Sequence, residues 1–165
     1  QTDRQFLRTF RAETEPFDII LDDGGHTMRQ QITTIQELYQ HVKPEGLYLC
    51  EDMHTSYWLR YGGGVRRPGT FMEYSKKMVD QLNAWHSEQR RLQPDSITKS
   101  TYSIHYYDSI VVFEKKPMSP PEKMETGDYR IVDHAKMTTQ SLSKRVRGRL
   151  YNLTSGILRF LHLRG

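Results

Sequence analysis

Residues able to bind a cation or move a proton crowd into two short stretches. In "FDIILDDGGHTM", residues 17–28, an apolar run passes straight into Asp22, Asp23 and His26. In "GLYLCEDMHTSYW", residues 46–58, a second apolar run passes into Glu51 and Asp52, 28 positions after Asp23. Carboxylates are hard oxygen donors and suit Mg²⁺, Ca²⁺ or Mn²⁺, with water or substrate hydroxyls completing the coordination. Left to themselves, Asp23, Glu51 and Asp52 would repel and raise one another's pKa, a conflict that a cation resolves. His26 can take a proton from a hydroxyl whose pKa a metal has lowered. Plainer readings stand beside these. His26 can be a ligand or a capping residue, Asp22 can bond the backbone of its own loop, and Glu51 with Asp52 can be a solvated pair. Gly24 and Gly25 read as turn glycines with positive φ, and Gly62 to Gly64 as a flexible loop.

The elements that would position these residues can be read from periodicity and caps. Thr2 with Gln5, Thr27 with Gln30 and Thr70 with Glu73 have the spacing of a capping box. Apolar residues recur at three and four after the second (Met28, Ile32, Ile35, Leu38, Val42) and after the third (Phe71, Tyr74, Met78, Leu82, Trp85), predicting helices. "KPEG" at 43–46 is expected to stop the second helix with a turn. "FDIIL" and "GLYLC" read as parallel strands separated by a helix, the α/β pattern. "YSIHYYDSIVVFEKK" reads as an antiparallel hairpin turning at Asp108 and Ser109 and closing one edge, with His105 inside it. In open α/β sheets ligands bind outside the carboxyl ends of the strands, where both acidic stretches lie.

Composition limits the remaining choices. At 165 residues the chain fits one ordinary domain. Its mean hydropathy of -0.76 and the absence of an apolar run near 18 residues describe a water-exposed protein without a spanning helix. No secretory signal is read. The single cysteine, Cys50, reads as a small buried residue in a reducing cytoplasm. Gln at position 1 suggests a start within a longer gene product. The net charge of +4 is uneven: residues 136–165 hold seven bases and no acid, leaving -3 for the rest. A nucleic-acid face over the body is therefore not expected. Residues 117–135, Pro-rich and polar, read as a linker, and 136–165 as a basic amphipathic helical tail with Leu142, Val146, Leu150, Leu153, Ile157 and Phe160 in its stripe.

Together, "DDGGH", "KPEGLYLCEDMHTSYW" with its trailing glycines, and "SIHYYDSIVVFEKK" resemble the carboxyl-terminal half of class I S-adenosylmethionine-dependent methyltransferases. The likeness is to the metal-dependent sugar O-methyltransferases of macrolide biosynthesis, and it covers residues 1 to about 116. It implies that Asp23, Glu51 and Asp52 bind Mg²⁺ and that His26 is the base, the assignment the residue chemistry also reaches. It implies a partial Rossmann-like sheet, strands four to seven of seven, with flanking helices. The cephalosporin-hydroxylase-like relatives share the metal site, so the resemblance leaves the substrate open.

The family's Gly-rich cofactor loop would precede this stretch. Gln1 and Asp3, with Asp22, are the remaining weak candidates for cofactor contact. A sheet cut at this point exposes a long strand edge that a missing amino-terminal half or a second subunit would cover. The expected activity is transfer of a methyl group from S-adenosylmethionine to a sugar hydroxyl of a glycosylated natural product or polysaccharide, in the cytoplasm. Tyr57 and Trp58 offer flat faces for a sugar ring, or form a core pair, and His54 could line the site. The alternative function is a non-catalytic interaction module whose basic tail binds a partner or an anionic membrane; docking of the tail on protein is the preferred reading.

Overall fold

The computed structural model describes residues 1–124, 126 and 127. Gln1–Glu122 form one compact unit. Helix α1 (Arg4–Glu13) leads into strand β1 (Phe17–Asp22), helix α2 (Met28–Leu38) and strand β2 (Val42–Cys50). Helices α3 (Phe71–Leu82) and α4 (Ser96–Ser100) follow, then strands β3 (Thr101–Tyr107) and β4 (Ile110–Lys115). Residues 117–124 carry neither helix nor strand. The rest of the predicted linker, apart from 126 and 127, and the whole predicted tail helix lie outside the described residues.

The caps show how local chemistry sets these boundaries. Thr27 forms the full reciprocal box with Gln30. Thr70 Oγ1 accepts the Glu73 N–H at 3.2 Å, but the Glu73 carboxylate turns to Lys76 Nζ at 2.6 Å, so only half of that box is made. At the first helix the cap is Asp3 in place of Thr2: its Oδ1 accepts the Phe6 N–H at 3.0 Å. Both residue types can cap, and the register of the helix chooses the later one.

"KPEG" departs further from expectation. Helix α2 stops at Leu38, a 3-10 turn covers Tyr39–His41, and residues 43–46 lie inside β2. The turn chemistry appears instead as an irregularity of the strand. Glu45 has φ 66°, and the pairing with β1 jumps from Phe17↔Val42 to Ile19↔Leu47. Val42 and Trp85 accordingly fall outside the helices predicted to hold them, Trp85 in the 3-10 turn Ala84–His86.

The sheet order is β1-β2-β4-β3, with β1 parallel to β2 and the other pairs antiparallel. The parallel pair needs the α2 crossover, while β3 and β4 need only the Asp108–Ser109 turn. One sheet face is packed: Tyr48, Cys50, Val111 and Phe113 lie beneath Leu7, Ile35, Tyr39, Phe71 and Met78. Tyr39, Tyr48 and Phe113 meet edge to face, with ring centroids 5.9 to 6.2 Å apart. Burial raises the Tyr39 phenol to about 12, against its bond to Thr101. On the other face Ile19 and Leu21 are 60% and 55% exposed, in register with half-buried Leu47 and Leu49. At the far end of the sheet buried Lys115 donates to the carbonyls of Tyr39 (3.1 Å) and Val42 (2.6 Å), where the helical turn gives way to β2. Burial pushes its ammonium below the usual lysine value.

Candidate metal and acceptor site

Beyond the last rung of the parallel pair, Glu51 N–H still bonds Asp22 O at 3.1 Å, so both acidic loops leave the sheet side by side. Asp52 then takes a left-handed backbone, φ 54° and ψ 36°, which turns its side chain toward the other loop. Among the described residues, ligand atoms of Asp23, His26 and Asp52 all lie within 4.8 Å of one another. His26 Nε2 stands 3.3 Å from Asp52 Oδ2. Among the described residues no Lys or Arg pairs with Asp23, Glu51 or Asp52; the groups beside the Asp52 carboxylate are the His26 and His54 rings.

Glu51 lies outside this group. Its main chain is engaged, N–H to Asp22 and carbonyl to Gln31 Nε2 at 3.0 Å. Two carboxylates and an imidazole nitrogen form a donor set that Mg²⁺ or Mn²⁺ accepts, and this test of the residues against a divalent cation is met.

The residues proposed for the cofactor are all engaged within the protein. Asp22 is buried, its Oδ1 accepting Gln1 Nε2 and its Oδ2 accepting Tyr48 OH, each at 2.8 Å. Burial pushes its pKa up, and those two donors oppose the rise. Asp3 caps α1. Gln1 Oε1 also accepts the Gly25 N–H. Gln1, Asp22 and Asp23 line a hollow of about 320 Å³ beside β1. Neither Gly24 nor Gly25 has a positive φ. A Cβ at these positions would strike the Gln1 and Gln30 side chains, so the glycines make room where they were expected to make a turn.

On the β4 side, Met53 N–H donates to Ser109 O at 2.9 Å, and His54 Nδ1 lies 2.6 Å from Ser109 Oγ. The His54 ring packs edge-on against Trp58 at 4.5 Å, and the Arg60 guanidinium covers Trp58 at 4.6 Å. Tyr57 and Trp58 are 47% and 39% exposed, which excludes the core-pair reading. A cleft of about 180 Å³ opens here, lined by Met53, His54, Tyr57, Met72, Tyr106 and Tyr107.

Thr55 and Gln31 join the site without having been singled out in the sequence, and Ser109, read there only as a turn residue, joins it too. Thr55 sits three residues after Asp52, the spacing of a side-chain-to-backbone motif, and Ser109 occupies a turn position. Those signals were present but common. Gln31 carried none, and its buried Oε1 has no partner among the described residues.

No protein-family model matches the chain. It is 32% identical over 121 residues to mycinamicin VI 2''-O-methyltransferase of Micromonospora griseorubida, a match covering 70% of this chain and 30% of that protein. Demethylmacrocin O-methyltransferase of Streptomyces fradiae is 33% identical over 120 residues, covering 70% and 30% respectively. The chain thus spans about 30% of the length of the curated relatives it matches. Among solved structures it is similar to MycE methyltransferase of the mycinamycin pathway in complex with Mg and SAH. The TM-score is 0.67 and the identity 27%, over 85% of this chain and 37% of that one. A second MycE complex, with Mg, SAH and mycinamycin VI, aligns at TM-score 0.58 and 30% identity, over 70% and 30%. The fold is that of an α/β methyltransferase, represented here by four strands and their helices.

Proposed function

We propose that this chain, a relative of the macrolide sugar O-methyltransferases, carries the metal-binding portion of an S-adenosylmethionine-dependent O-methyltransferase that modifies a sugar hydroxyl of a glycosylated natural product. The observation that supports this most is the meeting of Asp23, His26 and Asp52 at the carboxyl ends of two parallel strands. A divalent cation, Mg²⁺ foremost, would supply the positive charge that anchors an acceptor hydroxyl and eases its deprotonation. Asp23 and Asp52 would hold that cation, with Glu51 as the further carboxylate. His26 would accept the hydroxyl proton at Nε2, and Asp52, 3.3 Å away, would stabilise the imidazolium that forms. The deprotonated oxygen would bond to the methyl carbon as its bond to the sulfonium sulfur breaks.

Tyr57, Trp58 and His54 would hold the sugar ring along the exposed cleft. Gln1, Asp3 and Asp22 are the candidates for cofactor contact, Gln1 and Asp22 through the hollow beside β1. The uncovered sheet face and the outer edge of β1 support a remainder of the same domain, or a second subunit, lying against them. The buried free thiol of Cys50 suits a reducing cytoplasm. Among the described residues no helix is long and apolar enough to cross a membrane.

The test is Mg²⁺-dependent methyl transfer to a glycosylated macrolide by the protein with the rest of its methyltransferase domain in place. Asp23→Ala and Asp52→Ala should each reduce transfer to background while S-adenosylmethionine binding persists. Transfer that survives both EDTA and these substitutions would sink the metal-dependent mechanism.

A further inference from the structure

We propose that Thr55 is a positioning residue for the cation site, its buried hydroxyl tying the main chain of Asp52 to that of His26 and so setting the spacing of their side chains. This rests on the reading of Asp23 and Asp52 as ligands of a divalent cation with His26 as the base beside it. Thr55 is 1% exposed, and its Oγ1 lies 2.7 Å from the Asp52 carbonyl oxygen and 3.0 Å from the His26 carbonyl oxygen. Its single hydroxyl proton is shared between the two. The first contact is local: together with the Thr55 N–H bond to Asp52 O at 3.0 Å, it closes the turn that follows β2. The second contact is not needed for that turn. It crosses to a loop that leaves a different strand, and it ends on the residue whose ring faces Asp52.

Three other features hold Thr55 in place. Its branched Cβ restricts χ1, so the hydroxyl has few alternative directions. Gly63 lies so close that a Cβ there would come within 2.5 Å of the Thr55 carbonyl oxygen, so the glycine loop packs onto this residue. Ser109 O accepts the Met53 N–H from the other side, at 2.9 Å, and Ser109 is itself left-handed at φ 63°. Asp52 and Ser109 are two of the four non-glycine residues with positive φ among those described, and Met53, the residue after Asp52, makes this bond to Ser109. Such conformations persist where the surroundings over-determine them, and here the surroundings are Thr55, Ser109 and Gly63.

The experiment is a Mn²⁺ titration of the 165-residue chain, followed by the electron paramagnetic resonance signal of free Mn²⁺, with melting in EDTA measured alongside. Thr55→Val keeps the shape and removes the hydroxyl; it should weaken Mn²⁺ binding by about 10- to 100-fold, the range for groups that orient metal ligands. Thr55→Ser, which keeps the hydroxyl, should recover most of that loss. Should Thr55→Val fail to fold, Thr55→Ala takes its place in the comparison with Thr55→Ser. Unchanged Mn²⁺ affinity in the hydroxyl-free variant, even with a lower melting temperature, would overturn the proposal. So would a serine variant as weak as the valine one, since packing of the methyl would then be what matters. If Asp23→Ala leaves Mn²⁺ binding untouched, the cation site itself is wrong and the role of Thr55 falls with it.

Discussion

The two faces of the sheet carry similar residues and meet different fates. On one, Tyr48, Val111 and Phe113 are fully buried under α2 and α3; on the other, Ile19 and Leu21 of the parallel pair stand more than half exposed. Ile19 and Leu21 belong to a parallel pair, and parallel strands are found in sheets covered on both faces. The open face is therefore patterned for cover and the packed face already has it. Stability and function also separate along this line. The packed face holds the domain together, and the loops at the ends of β1 and β2 carry the site.

Substitutions can break or sharpen this contrast, and the largest effect belongs at the centre of the packed face. Phe113→Ala opens a cavity among Tyr39, Tyr48 and the helices and should cost about 3–5 kcal/mol in urea-induced unfolding. A cost under about 1 kcal/mol would mean that the edge-to-face cluster is not the anchor described here. Thr70→Ala removes the side-chain cap of α3, one of the covering helices, and should cost about 1 kcal/mol by the same measurement.

A third, smaller effect is a matter of pH. Glu37 on α2 takes hydrogen bonds from Arg8 and Arg4 of α1, and these hold its carboxyl below the ordinary value of 4.5. A folded value below the unfolded one means that the stabilisation is full above pH 4.5 and is lost as pH falls through the folded value. Glu37→Gln should lower stability at neutral pH and, by removing a contribution that acid removes anyway, flatten that acid limb in melts between neutral and acid pH. An unaltered limb would show that the arginine pairs do not couple α1 to α2 in solution.

The smallest effect is expected on the open face. Leu21→Thr should change the stability of the chain by no more than about 0.5 kcal/mol, because the side chain is 55% exposed. A larger loss, growing with protein concentration, would show that a second copy already covers the face.

How much was legible in the sequence follows from how local each signal was. The parallel pair, the crossover helix and the hairpin turn at Asp108 and Ser109 could be read because apolar runs, caps and turn residues act within a few positions of the chain. The meeting of Asp23, His26 and Asp52 followed from one topological rule, that the loops after adjacent parallel strands share a crevice. "KPEG" was read as a turn because its residues carry turn chemistry, yet pairing with β1 on either side, at Val42 and Leu47, keeps it within the strand as an irregularity. Thr55 showed only the common spacing of a local turn, and its contact with His26 and that of Gly63 with Thr55 lie between loops, where no spacing encodes them.

Cys50 gives this architecture a clock. Its thiol is fully buried on the packed face, and burial first, then nearby carboxylates, drive its pKa far above that of a free cysteine. In the folded state almost no thiolate exists and no reagent can reach it, so a disulfide reagent can label the chain only through molecules in which β2 has opened. As the sole cysteine, it lets the labelling rate count those openings directly. Because Cys50 immediately precedes Glu51 and Asp52, a cation bound at their loop should slow the clock by the factor with which it favours the closed state.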